Sequence, residues 1–247
     1  MFMGSRNGMF IFDVSNPENP KYLSFWITFS GHQPYSTPDY DPSITQYKQK
    51  VMVKYPTLSM EYITIMCKTM DLDRSIASFL EASSHAGRYE DTVIVIYGDH
   101  FIKGDYLYEN NIQNVATLVG KQSITSQELK HYAANPLIIY NSGLPSGINT
   151  TVSSILDIAP TLYNLFGIDY DQKTVIGNDI LDPNYNGRFF TNVGYYQTNN
   201  FYYDPINNQY IPINNYSFDQ AQKDISEIDR VREISKYILE TNYFATK

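Results

Sequence analysis

Cysteine is all but missing from this sequence: one residue, Cys67, in 247. A lone thiol excludes an intrachain disulfide framework and any cysteine-based zinc site. Its position inside an apolar helical pattern reads as a small core hydrophobe. Basic runs are missing as well. Eighteen Lys and Arg stand against 26 Asp and Glu, for a net charge of −8, so nothing here forms the basic stripe that nucleic-acid phosphates demand. A divalent cation can still give an acidic protein the local positive charge it needs to hold an anion. No apolar stretch reaches the length that spans a bilayer. Met1 to Pro20 has neither the basic start nor the apolar middle of a signal peptide, so the chain itself is expected to carry no targeting element. The Gly-x-Ser-x-Gly elbow, the phosphate-binding loop and the dinucleotide fingerprint are all absent.

What is present points to a folded body. Hydrophobic residues make up 43% and charged residues 18%, a balance that buries a core. The 23 tyrosines cluster in stretches such as Tyr195-Tyr196 and Phe201-Tyr202-Tyr203, which suit half-buried strands. After a turn-rich segment at residues 13–20, Tyr22 to Phe29 is almost continuously apolar and reads as a strand buried on both faces. It stops at Ser30-Gly31-His32-Gln33-Pro34. Residues 36–56 read as a polar surface excursion. Thr57 to Ala86 has helical periodicity, with Gly87 placed to end it. Thr92 to Tyr97 is the clearest buried strand, and Gly98-Asp99-His100 follows at its carboxyl end. A short helix is predicted at Ser126 to Tyr132 and a strand at Pro136 to Tyr140. Ser153 to Phe166 reads as a helix that begins near Ala159 or is kinked at Pro160. Beyond Arg188, Phe189 to Tyr196 and Phe201 to Ile213 look like antiparallel strands with a turn at Asn207-Asn208. Ser217 to Tyr243 is a closing helix, opened by a capping box between Ser217 and Gln220. Three regions follow: an extension at 1–20, a main body at 21–187, and strands plus helix at 188–247.

Two places carry chemistry. Asp99 and His100 pair a carboxylate with an imidazole at a strand end, where ligands of open α/β sheets sit. Both can ligate a divalent cation, and Mn²⁺ and Zn²⁺ are equally compatible. His32, in the polar loop after the first apolar strand, can donate to a phosphate or sulfate oxygen or bind metal. Each pattern alone is also met by ordinary surface histidines. They become a site if the two strands share one sheet and bring position 32 and positions 99–100 to a common rim.

Taken together the segments resemble one family. Ser30-Gly31-His32-Gln33-Pro34-Tyr35 is similar to the Ser-x-His-x-Pro-aromatic segment of lipoteichoic acid synthases and related phosphoglycerol transferases. Gly87 to His100, with its Tyr97-Gly98-Asp99-His100 end, resembles that family's second motif. Asp157-Ile158-Ala159-Pro160-Thr161-Leu162 with Phe166-Gly167-Ile168, and then Gly177-Asn178-Asp179-Ile180-Leu181, look like segments of sulfatases broadly. The resemblance runs from about Tyr22 to Tyr243.

It implies an alkaline-phosphatase/sulfatase-like α/β fold: a mostly parallel sheet between helices, incomplete here, with a small antiparallel carboxyl-terminal subdomain and closing helix. It implies that Asp99 and His100 ligate one divalent metal, Mn²⁺ by the family habit, and that His32 contacts a phosphoglycerol head group. Such enzymes are anchored in the membrane with the catalytic domain on its extracytoplasmic face, and use a threonine nucleophile. No threonine of this chain matches that nucleophile's motif, and Phe101-Ile102-Lys103-Gly104 departs from the residues usual after the Asp-His pair. The expected function is the carboxyl-terminal portion of a metal-dependent phosphoglycerol transferase, inactive alone, acting on phosphatidylglycerol or another anionic glycerophosphate or glycopolymer. Alternatives are a fragment of a sulfatase or phosphoethanolamine transferase, and a non-catalytic module that binds anionic glycopolymers. An incomplete sheet leaves apolar surface for the missing amino-terminal half or for self-association.

Overall fold

The structure is a computed structural model that describes residues 7–13, 21–28, 35, 42–99, 112–132, 134–140, 143–191 and 195–246. It divides into two units, Met1–Leu144 and Pro145–Lys247. The expected subdivision at residue 188 falls inside the second.

In the first unit a sheet is built from β1 (Asn7–Asp13), β2 (Lys21–Thr28), β3 (Thr92–Gly98) and β4 (Leu137–Tyr140), in the order β2-β1-β3-β4. The inner strand β3 buries Thr92, Val93, Ile94, Val95 and Ile96. That β-branched run favours extended backbone and packs on both faces of a pleated surface. Every described strand pair is antiparallel, which corrects the expectation of a mostly parallel sheet. The cause is β1, which lies in the stretch read as an extension. Gly8 to Phe12 inserts between β2 and β3, so these two run in the same direction without touching. A continuous apolar run reports burial of both faces, and an inner antiparallel strand meets that condition as well as a parallel one.

Among the described residues four helices accompany the sheet in this unit: α1 (Pro42–Lys54), α2 (Met60–His85), α3 (Ile112–Leu118) and α4 (Ser126–Tyr132). The first was read as a surface excursion. Its proline occupies the opening helical position, where a missing N–H costs nothing. Ile44 and Val51, two turns apart, turn inward. Helix α2 opens on Ser59, whose hydroxyl accepts from the Tyr62 N–H, and closes before Gly87 at φ +66°, the left-handed geometry glycine tolerates best. Tyr62, Ile63 and Cys67 on α2 pack with Ile44, Val51, Leu58, Val115, Ala116, Ile124 and Leu129 into one helical core. Burial pushes the Tyr62 phenol upward, with the nearby Glu61 charge adding to the shift.

The second unit begins with a single 3₁₀ turn, Ile155–Asp157, that runs directly into α5 (Ile158–Leu165). Pro160 lies in the first turn of α5, so the helix begins two residues before it. An antiparallel sheet follows, β5 (Arg188–Phe190), β6 (Tyr196–Thr198), β7 (Phe201–Asp204) and β8 (Gln209–Pro212), in sequential order. The expected strand at Phe189 to Tyr196 is thus two paired strands. The turn at Asn207-Asn208 stands: Asn208 takes φ +48°, and the Asp204 carboxylate accepts from the N–H groups of Ile206 and Asn207 at 3.0 and 3.1 Å. Helix α6 (Phe218–Thr241) carries the Ser217–Gln220 capping box. Ala221 and Ile228 of α6 pack on Tyr196 and Phe201 of the sheet. The tyrosines are structural here, as Phe201 stacks on Tyr216 at 6.0 Å between centroids.

Cys67 is fully buried, and burial raises its thiol to about 11. A disulfide-exchange reagent at pH 7.5 should therefore leave the native chain unlabelled and react fully only after denaturant is added. Rapid labelling without denaturant would contradict the helical core described above.

Candidate functional site

Backbone register defines the site's frame. Asn7 pairs with Thr28 of β2 on one side and with Gly98 of β3 on the other. The carboxyl ends of β2 and β3 therefore lie level at one rim of the sheet, two strand spacings or about 10 Å apart. The segment containing His32 leaves from the first end, and Asp99 stands at the second. His32 and His100 lie outside the described residues. Asp99 is half-buried. Two residues earlier, the Tyr97 phenol is held above its ordinary range by burial and, secondarily, by the Asp99 charge.

A third residue reaches this rim from β4. The β3–β4 register pairs Tyr97 with Leu137, and its continuation sets Asn135 across from Asp99. The Asn135 side chain lies over Gly98 so closely that a Cβ on residue 98 would come within 2.5 Å of the Asn135 Cγ. Glycine at 98 thus opens the space that Asn135 fills. The Asn135 Oδ1 atom is sealed from solvent and accepts no hydrogen bond among the described residues. A buried acceptor left unmade costs roughly 1–3 kcal/mol. Among the described residues no group of three or more His, Cys, Asp or Glu is placed to hold a metal. A carboxylate such as Asp99 is a hard-oxygen donor of the kind that suits Mn²⁺ or Mg²⁺, and an imidazole at position 100 would add a nitrogen.

The second unit holds a different arrangement. Asp157, 1% exposed, accepts from the Asn178 N–H at 2.8 Å through Oδ1. Its Oδ2 accepts from the Ser154 N–H at 2.8 Å and from the Tyr185 hydroxyl at 2.8 Å. Thr161 donates to the Asp157 carbonyl at 2.6 Å and accepts from the Ile180 N–H at 3.0 Å. Between them Gly177 lies so near Leu156 that an added Cβ would sit 1.8 Å from the Leu156 carbonyl oxygen. Asp179 accepts from Leu181 N–H at 2.8 Å and from the Asn164 amide. These donors, with the Ser154 hydroxyl at 3.2 Å, satisfy the buried Asp157 carboxylate as a clasp between helix and loop. The Tyr185 phenol is driven upward by burial and then by Asp157.

The sulfatase family profile matches residues 9–168. The chain belongs to the sulfatase family. Within it, this sulfatase-family chain is similar to lipoteichoic acid synthases. Lipoteichoic acid synthase 1 of Bacillus subtilis is 28% identical over 177 residues, covering 69% of this chain and 26% of the relative. Lipoteichoic acid synthase 2 of the same organism is 29% identical over 168 residues, 67% of this chain and 24% of the relative. The Staphylococcus saprophyticus lipoteichoic acid synthase is 26% identical over 175 residues, 70% and 25% respectively. The chain spans about a quarter of the length of these curated relatives.

Asn135 was invisible to pattern reading, since an asparagine before Pro136 looks like any residue leading into a strand. The Asp157 clasp had a visible signal in the family motifs, though not its role. Gly177→Ala should unfold the second unit at markedly lower denaturant, a loss of about 3 kcal/mol or more. Asp157→Ala should cost about as much, by stranding four donors. Circular dichroism against urea measures both. A midpoint within error of the parent in either variant would show that the clasp contributes nothing.

Proposed function

We propose that this chain supplies the cation- and head-group-binding share of a phosphoglycerol transferase of the lipoteichoic acid synthase kind. The observation that carries the reading is the rim itself: β2 and β3 end level, with Asp99 at one end and the His32 segment leaving from the other. Similarity to lipoteichoic acid synthases supports a glycerophosphate diester as the substrate class, with phosphatidylglycerol as donor at the extracytoplasmic face of a membrane.

In this mechanism Asp99 and His100 hold one divalent cation, Mn²⁺ by preference. When bound, the cation neutralises charge on the phosphate and favours a deprotonated nucleophile. His32 donates a hydrogen bond to a phosphate oxygen and so stabilises charge that grows in the transition state. The Asp99 carboxylate is presented at the end of the inner strand β3. No threonine of this sequence matches the family's nucleophile motif, so the covalent step belongs to residues that these 247 do not include. Among the described strands β2 stands at the end of the order β2-β1-β3-β4, and a sheet edge suits coverage by more protein, either the remainder of a transferase or a second copy of the chain.

Titration of the purified chain with Mn²⁺, followed by electron paramagnetic resonance, tests the reading. Binding should be weak, because few of the cation's ligands come from this chain, and Asp99→Ala should abolish it. The chain alone should release no diacylglycerol from phosphatidylglycerol vesicles. Robust Mn²⁺-dependent release that disappears in Asp99→Ala would overturn the division of labour. Tight metal-independent binding of glycerol phosphate would instead identify a non-catalytic binding module.

A further inference from the structure

We infer that Lys68 of α2 is a positioning residue for His32, acting through the ring of Tyr35. The inference rests on the proposed head-group role of His32 and adds the device that holds it ready. Three observations carry it. Tyr35 is 2% exposed, so the chain that leaves β2 at Thr28 is anchored in the protein again at Tyr35. The Lys68 ammonium lies over the Tyr35 ring, 5.4 Å from its centroid. Lys68 also falls, at helical spacing, between Ile65 and Leu72, which are 3% and 6% exposed.

A lysine inside an apolar helical stripe breaks the pattern that buries a helix. The tyrosine ring gives that charge a place. Its negative face attracts the ammonium, more strongly out of water than in it, while the lysine stem covers apolar surface. The consequence for His32 follows from chain length. Three residues span at most about 11 Å, so an anchored Tyr35 confines the His32 backbone whatever path the connection takes. The end of β2 confines it from the other side. Pinning both ends of so short a connection removes conformations before any ligand arrives, which raises affinity without a new contact to the ligand.

The experiment follows the imidazole nuclear magnetic resonance signals of the whole 247-residue chain while glycerol 1-phosphate is titrated in. The His32 signals are identified by their loss in His32→Gln. Without ligand, Lys68→Met and Tyr35→Leu should each move the His32 signals to their position in the urea-unfolded chain, with those of His85 and His131 left in place. Lys68→Arg returns a cation to the ring and should keep the parent's spectrum. Glycerol phosphate binding should weaken about threefold or more in Lys68→Met and Tyr35→Leu, and stay at the parent's level in Lys68→Arg. Unchanged His32 signals in Lys68→Met overturn the inference. So does weakened binding in Lys68→Met that Tyr35→Leu does not share, since Lys68 then acts on the phosphate directly. If glycerol phosphate leaves the parent's His32 signals unmoved, the head-group role falls, and the anchor stands or falls on the ligand-free spectra. Should Lys68→Met or Tyr35→Leu fail to fold, Lys68→Gln decides in its place: parental His32 signals in that uncharged variant overturn the inference.

Discussion

Asn7 pairs on both sides, with Thr28 and with Gly98, and this double register sets the carboxyl ends of β2 and β3 level in the first unit. A slip of one residue in either ladder would turn every side chain of that strand to the opposite face and offset the two strand ends. Neither β2 nor β3 needs the other as a neighbour for this to work. A shared partner running the opposite way aligns two strands of like direction as firmly as direct pairing would. The rim is thus a product of backbone hydrogen bonds, and the side chains that use it are carried there by strands whose sequences are chosen for burial.

Much of this was legible before any coordinates, and the parts that were not share a cause. Helix α2 declared itself through apolar spacing, a serine cap and a terminal glycine, all local signals. Helix α6 did the same through its capping box. The β1 strand did not, because Asn7-Gly8 opens it and the turn formers of residues 13–20 close it, leaving only five apolar or small residues to be recognised. The parallel-sheet expectation came from the two-faced apolar run of β2 and from the family resemblance, neither of which reveals β1. Helix α1 was hidden by its polar face: among its described side chains Ile44 and Val51 are the buried ones, too sparse a stripe to outweigh its proline and polar residues. In the site, Asp99 was visible as chemistry following a buried run. Asn135 was not, because its significance lies in what a non-neighbouring glycine leaves open.

The motifs that reveal the family are not all of one kind. Asp157, Thr161 and Gly177 belong to segments as distinctive as the one containing Asp99, yet their hydrogen bonds close on the protein itself. A buried carboxylate with four donors is satisfied and has nothing left to offer a ligand. At the sheet rim the Asn135 Oδ1 is buried with no hydrogen-bond partner among the described residues. Hydrogen-bond satisfaction therefore distinguishes a motif that holds a loop in place, even when sequence similarity marks several motifs equally.

The same criterion bears on why the proposed cation site would be weak in isolation. A divalent manganese or magnesium ion prefers about six donors, and one carboxylate with at most two imidazoles would leave the rest to water. Water ligands contribute no preorganisation, so affinity would depend on how rigidly the few protein donors are held. Asp99 directly follows β3, whose residues Thr92 to Ile96 are buried, and that inner strand would hold the carboxylate in place. On the proposed function, so sparse a site would keep open the coordination positions that a phosphodiester and a nucleophile need, whereas a site saturated by its own protein would have no place for the reacting groups.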